Sequence, residues 1–195
     1  LRRPKKLEYE LIWPSTRSEY ILSYCCPPNL ARILAESSEL SYCRSQDTLW
    51  LGLYGANKAD VQLENDAHFT VEQITDYPYD GTIRFQIHRL NDLPFKINLR
   101  IPKWAVSGSI TSPYTQHQIT ATDQGTYYTL EIGNDPDTII QLTLDMPACY
   151  IISHSMVEEN TLQAAVERGP LVYCMETPDV QADSLRELLL DPDAV

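Results

Sequence analysis

The clearest signal along the chain is a change of period. Over residues 27–42, Leu30, Ile33, Leu34 and Ser37 recur at helical spacing, and Ala31 and Ala35 are small enough for close packing. Pro27 and Pro28 open the stretch, where a proline forfeits no hydrogen bond because its N–H would have no partner. The spacing predicts one helix over 27–42, with Cys25 and Cys26 at its N-terminal end.

From Thr48 the period falls to two. TLWLGLY, VQLE and HFTVEQI read as strands. In TIRFQIHRL, Ile83, Phe85 and Ile87 alternate with Arg84, Gln86 and His88. In FKINLRI, Phe95, Ile97, Leu99 and Ile101 alternate with Lys96, Asn98 and Arg100. TYYTLEI and TIIQLTLDM repeat the pattern, and Asp80-Gly81, Asn91-Asp92 and Gly133-Asn134-Asp135-Pro136 supply turns between the runs. Strands with one apolar face each predict a mainly β fold, an antiparallel β-sandwich over 47–147. CYIISHS and TLQAAVERGPLVYCME predict further strands joined by a turn at 158–160, the opening of a second β-rich domain or a wrap onto the first.

Composition narrows the function classes. With 195 residues, 43% hydrophobic and 22% charged, the chain is globular and long enough for one domain and part of another. Acidic residues outnumber basic ones 27 to 15, a net charge of -12. That excess argues against a nucleic acid partner, which requires a Lys/Arg surface, and against an anionic membrane surface. No apolar run approaches the roughly 18 residues of a membrane span. Arg2, Arg3, Lys5 and Lys6 resemble the start of a signal peptide, but Glu8 and Glu10 fall where its apolar stretch would have to run. A start at Leu1 and an end without a closing element predict a piece of a longer protein. Five cysteines, at irregular spacings, do not form a disulfide framework, and adjacent Cys25 and Cys26 cannot bond without straining the peptide between them.

Chemistry points first to that pair. A helix N-terminus favours thiolate over thiol, and a thiolate is either a nucleophile or a soft-metal ligand. Small apolar cysteines also simply pack at such places, the commoner case for a cysteine pair taken alone. A zinc site needs three or four ligands. No CxxC or HxxxH lies nearby, and Cys43 is expected far down the helix, pointing away. The histidines, 68, 88, 117 and 154, are scattered: His88 is expected on a solvated strand face and His154 at a strand end. Tyrosine supplies 12 of the 18 aromatic residues; Tyr and Trp platforms stack on sugars, although in sandwiches they more often serve the core or its edges.

YCCPPNLARILAE, LWLGLYGAN, ITDYPYDGTIRFQI, FKINLRIPKW and SHSMVEENTLQAAVERGPLVYCME occur in that order. Together they resemble glycoside hydrolase family 127, the β-L-arabinofuranosidase-like enzymes, over residues 20–176. CCPPN and RGPLVYC carry most of the specificity. The resemblance implies an (α/α)6-barrel catalytic domain ending over 1–46, a middle β-sandwich over 47–147 and the start of a C-terminal β-sandwich over 148–195. It implies that Cys25 is the nucleophile of a retaining mechanism and touches a zinc ion, and that Cys26 is a zinc ligand. The family's remaining ligands, a Glu and a Cys, and its general acid/base come from segments that nothing here matches, and Glu8, Glu10 and Glu19 are not assigned those roles. Ser23 stands where many members carry another cysteine.

The function implied is a portion of a glycosidase acting on non-reducing-end β-L-arabinofuranosides or a related pectin side-chain sugar, inactive as an isolated chain. The partner would be an arabinose-containing oligosaccharide or pectin-type glycan. The alternative is a non-catalytic carbohydrate-binding or structural sandwich, which leaves room for a homodimer. A role in polysaccharide breakdown suits the bacterial cytoplasm or periplasm.

Overall fold

The structure is a computed structural model that describes residues 24–175. The basic start with Glu8, Glu10, Glu19 and Ser23, and the acidic stretch 176–195, lie outside the described residues.

Helix α1 spans Cys26–Ser41 and runs directly into β1, Tyr42–Ser45. It stops one residue short of the predicted end, because Tyr42 is extended, and the Ser41 carbonyl accepts the Gly52 N–H at 3.1 Å instead of continuing the helix. Cys43 therefore stands on β1 rather than further along the helix. The remaining strands are β2 (Thr48–Leu51), β3 (Asn57–Gln62), β4 (His68–Ile74), β5 (Thr82–Arg89), β6 (Phe95–Arg100), β7 (Gly108–Thr111), β8 (Gln116–Ile119), β9 (Tyr127–Ile132), β10 (Asp137–Leu144), β11 (Ala148–Ile152), β12 (Ala164–Arg168) and β13 (Leu171–Tyr173). The VQLE run is the end of β3, with Leu63 and Glu64 already beyond it, and β1, β7 and β8 are strands that no alternation announced.

Two sheets face each other. One has the order β1-β2-β6-β9 and the other β3-β4-β5-β10-β7-β8. Pairing is antiparallel except between β2 and β6, which run parallel with Thr48 opposite Lys96 and Leu51 opposite Leu99. The alternation is translated into burial: Ile83, Phe85 and Ile87 of β5 enter the core, as do Phe95, Ile97 and Leu99 of β6, while Arg84 and His88 face solvent. Each such side chain contributes about 1.5–3 kcal/mol by leaving water, which makes this shared layer the main support of the fold. Phe69 and Phe95, one from each sheet, stack at 3.9 Å.

A separate sheet, β11-β12-β13, comes next and is mostly exposed. It touches the sandwich where Arg168 donates to the Tyr79 carbonyl at 3.0 Å. Gly169, at φ +58, holds the left-handed backbone that the turn between β12 and β13 requires, which favours glycine there.

A single turn after β8 gives the fold an acid-sensitive point. Asp123 accepts the Thr120 N–H at 2.8 Å, the Thr120 hydroxyl at 3.1 Å and a ring N of His117 at 3.3 Å. The Thr120 backbone bond is the main reason its carboxyl is held below the ordinary value. A depressed folded-state value stabilises the protein above the unfolded-state value, and the contribution disappears as pH falls through the folded one. Asp123→Asn is therefore expected to melt below wild type at pH 7, with the gap closing as pH falls below the ordinary carboxylate value; thermal melts across pH decide it.

Candidate active site

The site begins with the start of α1. Cys25 occupies the N-cap position at φ -93, ψ -46, and its carbonyl accepts the Asn29 N–H at 3.1 Å, the first bond of the helix. No side chain caps the helix, and no acidic residue lies in its first turn. Pro27 and Pro28 fill that turn and remove two of the N–H donors a helix start ordinarily offers. Negative charge on these sulfurs is thus served by fewer backbone donors than at a proline-free helix start, and a cation is the natural complement.

The two thiols share one exposed spot. Cys25 Sγ and Cys26 Sγ are 3.5 Å apart. Two thiolates on one tetrahedral zinc, each at about 2.3 Å, stand about 3.8 Å apart, so this pair fits as half of a zinc donor set. Among the described residues no group of three or more His, Cys, Asp or Glu side chains could complete it. One turn along, Arg32 donates to the Asn29 Oδ1 at 3.2 Å, which orients the amide on the helix face next to the cysteines. The i, i+3 spacing of Asn29 and Arg32 is the signal that could have shown this pairing in the sequence.

The other predicted residues are not gathered here. Cys43 is exposed on β1, Cys149 lies on β11 and Cys174 comes just after β13. His88 pairs with Asp137 at 2.8 Å on the solvated face, and His68 with Asp60 at 2.7 Å. His154 accepts the Met156 N–H at 3.3 Å in the turn after β11.

The surface of α1 carries a second message. None of its residues is buried, and Leu30, Ile33, Leu34 and Leu40, its apolar stripe, are all more than half exposed apart from Ile33 at 50%. An amphipathic helix gains most of its stability from covering such a stripe.

Comparison with known proteins gives the family of the chain. A family model described as the GH127 middle domain of β-L-arabinofuranosidase matches residues 48–146, and one described as the glycoside hydrolase family 127 C-terminal domain matches residues 149–194. A non-reducing end β-L-arabinofuranosidase of Bifidobacterium longum subsp. longum is 30% identical over 183 residues, which is 91% of this chain and 27% of that protein. Among solved structures, a glycoside hydrolase superposes with a TM-score of 0.78 at 32% identity, covering 92% of this chain and 30% of the other. A GH127 β-L-arabinofuranosidase from Geobacillus stearothermophilus T6 gives 0.68 at 29% identity, covering 76% of this chain and 23% of the other. The chain spans about a quarter to a third of the length of these relatives. Two consecutive family models, with relatives that carry the same sandwich, settle its membership: the chain belongs to glycoside hydrolase family 127.

Proposed function

We propose that this chain supplies the cysteine pair of a retaining glycoside hydrolase that removes β-L-arabinofuranosyl units, or a related pectin side-chain sugar, from the non-reducing ends of glycans. The observation that carries the reading is the 3.5 Å approach of Cys25 Sγ to Cys26 Sγ at an exposed helix start, in a chain similar to enzymes named for this activity. In this reading residues 1–46 end an (α/α)6-barrel catalytic domain, 47–147 form the middle sandwich and 148–195 open the C-terminal one. The uncovered stripe of Leu30, Ile33, Leu34 and Leu40 supports a helix that belongs against other barrel helices.

Cys25 acts as the nucleophile. Its sulfur attacks the anomeric carbon, the C–S bond forms as the C–O bond to the leaving group breaks, and the departing oxygen takes a proton from an acid outside this chain. Water then attacks the same carbon, the C–S bond breaks and the thiolate is restored, so two inversions give net retention. Cys26, together with Cys25, would hold a zinc ion, which when bound supplies positive charge that keeps both sulfurs ionised at neutral pH. The helix start fixes the geometry: Pro27 and Pro28 restrict φ near −65°, and the Asn29 bond to the Cys25 carbonyl sets where both side chains leave the backbone.

The test uses the parent protein on p-nitrophenyl β-L-arabinofuranoside, with its zinc determined. Turnover with retained anomeric configuration and near-stoichiometric zinc is expected; turnover with inversion sinks the mechanism. The 195-residue chain by itself is expected to release no nitrophenol, since its described residues hold only half of a donor set. Hydrolysis by that chain alone would mean that the reactive groups lie elsewhere.

A further inference from the structure

Apart from the cysteine pair, the outer face of the four-stranded sheet stands out among the described residues. Leu49, Leu51, Ile97, Leu99, Leu130 and Ile132 point into the core. Alternation then turns Trp50, Lys96, Asn98, Arg100, Tyr127 and Thr129 outward. In register, Trp50 lies opposite Asn98, Asn98 opposite Thr129, and Arg100 opposite Tyr127. Trp50 and Tyr127 meet across β6 edge to face, with ring centres 4.9 Å apart. The indole N–H donates to the Ser45 hydroxyl at 3.2 Å, which fixes one ring, and the Arg100 Nε donates to the Gly52 carbonyl at 2.6 Å, which fixes the guanidinium beside the other. Tyr127 remains 41% exposed.

Between them Asn98 is out of place. It is only 5% exposed, and its Oδ1 is buried without a hydrogen-bond partner. Such an orphan acceptor costs about 1–3 kcal/mol, and an apolar residue at this position would avoid it. The terminal amide torsion is soft, so the group can turn toward an arriving donor. An amide acceptor beside two aromatic rings, Tyr127 exposed and Trp50 half-buried, suits a ligand with an apolar C–H face and hydroxyl groups around it, which describes a sugar ring. Charge on the face is balanced, Lys96 and Arg100 against Asp47 and Glu131, with Lys96 and Asp47 paired at 3.2 Å. That balance favours a neutral glycan over an acidic one.

We propose that this face is a second glycan-binding surface, taking neutral saccharide chains by ring stacking on Trp50 and Tyr127 and hydroxyl donation to Asn98. It is distinct from the cysteine site. Cys43 of β1 lies opposite Trp50, at the C-terminal end of a helix whose 16 residues span about 24 Å from the cysteine pair. It stands independently of the thiolate reading.

Native gel electrophoresis of the full chain through soluble branched arabinan, and through a neutral β-glucan, tests it. Retardation by at least one of them is expected, with affinity falling at least about tenfold in Trp50→Ala and in Tyr127→Ala. Asn98→Leu is expected to weaken retardation while the melting temperature holds or rises, a combination that a purely structural asparagine would not produce. Circular dichroism checks that each variant is folded, and Tyr127→Ala, at an exposed position, carries the test if Trp50→Ala does not fold. Absence of retardation in both gels, or retardation unchanged in folded Tyr127→Ala, overturns the proposal. Failure of the thiolate reading would show instead as inverting turnover, or as turnover preserved in Cys25→Ala, with retardation untouched.

Discussion

Cys25→Ala in the parent protein is expected to lose turnover of β-L-arabinofuranosides by at least roughly a thousandfold. The large kinetic effect comes from chemistry: alanine leaves no atom that can bond to the anomeric carbon. Cys26→Ala makes the complementary variant: it removes a zinc ligand but leaves the nucleophilic sulfur of Cys25 in place, so zinc and activity are expected to fall together. Excess zinc is expected to restore part of the rate in Cys26→Ala and none in Cys25→Ala, which separates the roles. Turnover preserved in Cys25→Ala would leave the pair as a structural feature and end the thiolate reading.

The second large effect concerns stability. Arg89, 7% exposed at the end of β5, donates to three carbonyls: Gly133 at 2.6 Å, Leu93 at 2.8 Å and Asn91 at 3.3 Å. Its guanidinium also lies 5.3 Å from the centre of the Phe95 ring, which stacks on Phe69. One side chain therefore ties the loop after β5 and the loop after β9 to the core. Arg89→Met keeps much of the volume but leaves those carbonyls without their donor, and is expected to cost about 3–5 kcal/mol. Arg89→Lys keeps the charge but cannot present a planar fork to three acceptors, so an intermediate loss is expected. Denaturant titrations of the three proteins measure the order; a methionine variant as stable as wild type would show that water replaces the guanidinium without penalty.

Which parts of this structure the sequence revealed depends on how strongly each segment is buried on one side. HFTVEQI and FKINLRI could be read as strands because Phe69, Val71, Phe95, Ile97 and Leu99 alternate with polar neighbours, and the core lies on one side of each. Tyr42–Ser45 and Gln116–Ile119 could not, because they are short strands at sheet edges that bury little, so alternation is not enforced. Polar residues inside the fold were also unforeseen. Arg89 comes after His88 in a run that looks solvated, yet carbonyls from two loops draw it inward. The cysteine pair was legible as a motif, and its place at a helix start came from two prolines and a helical period. Its 3.5 Å sulfur separation is set by side-chain torsions, to which residue spacing is blind.

The parallel seam between β2 and β6 imposes an order of events on a chain made from one end. Strands β3, β4 and β5 pair with immediate sequence neighbours and can zip up as they emerge. Strand β2 cannot complete its sheet this way, since Thr48 must wait for Lys96 and Leu51 for Leu99. At ribosomal speeds of about 5–20 residues per second, that wait lasts roughly 2–10 seconds. Throughout it the edge of β2 that β6 will occupy stays open to foreign strands, and the layer around Leu49 and Leu51 is incomplete. The entropy of closing so long an intervening loop is recovered only once β6 docks. Newborn molecules of this protein therefore pass through an interval of stickiness that belongs to their topology and not to their finished surface, and slower synthesis prolongs it.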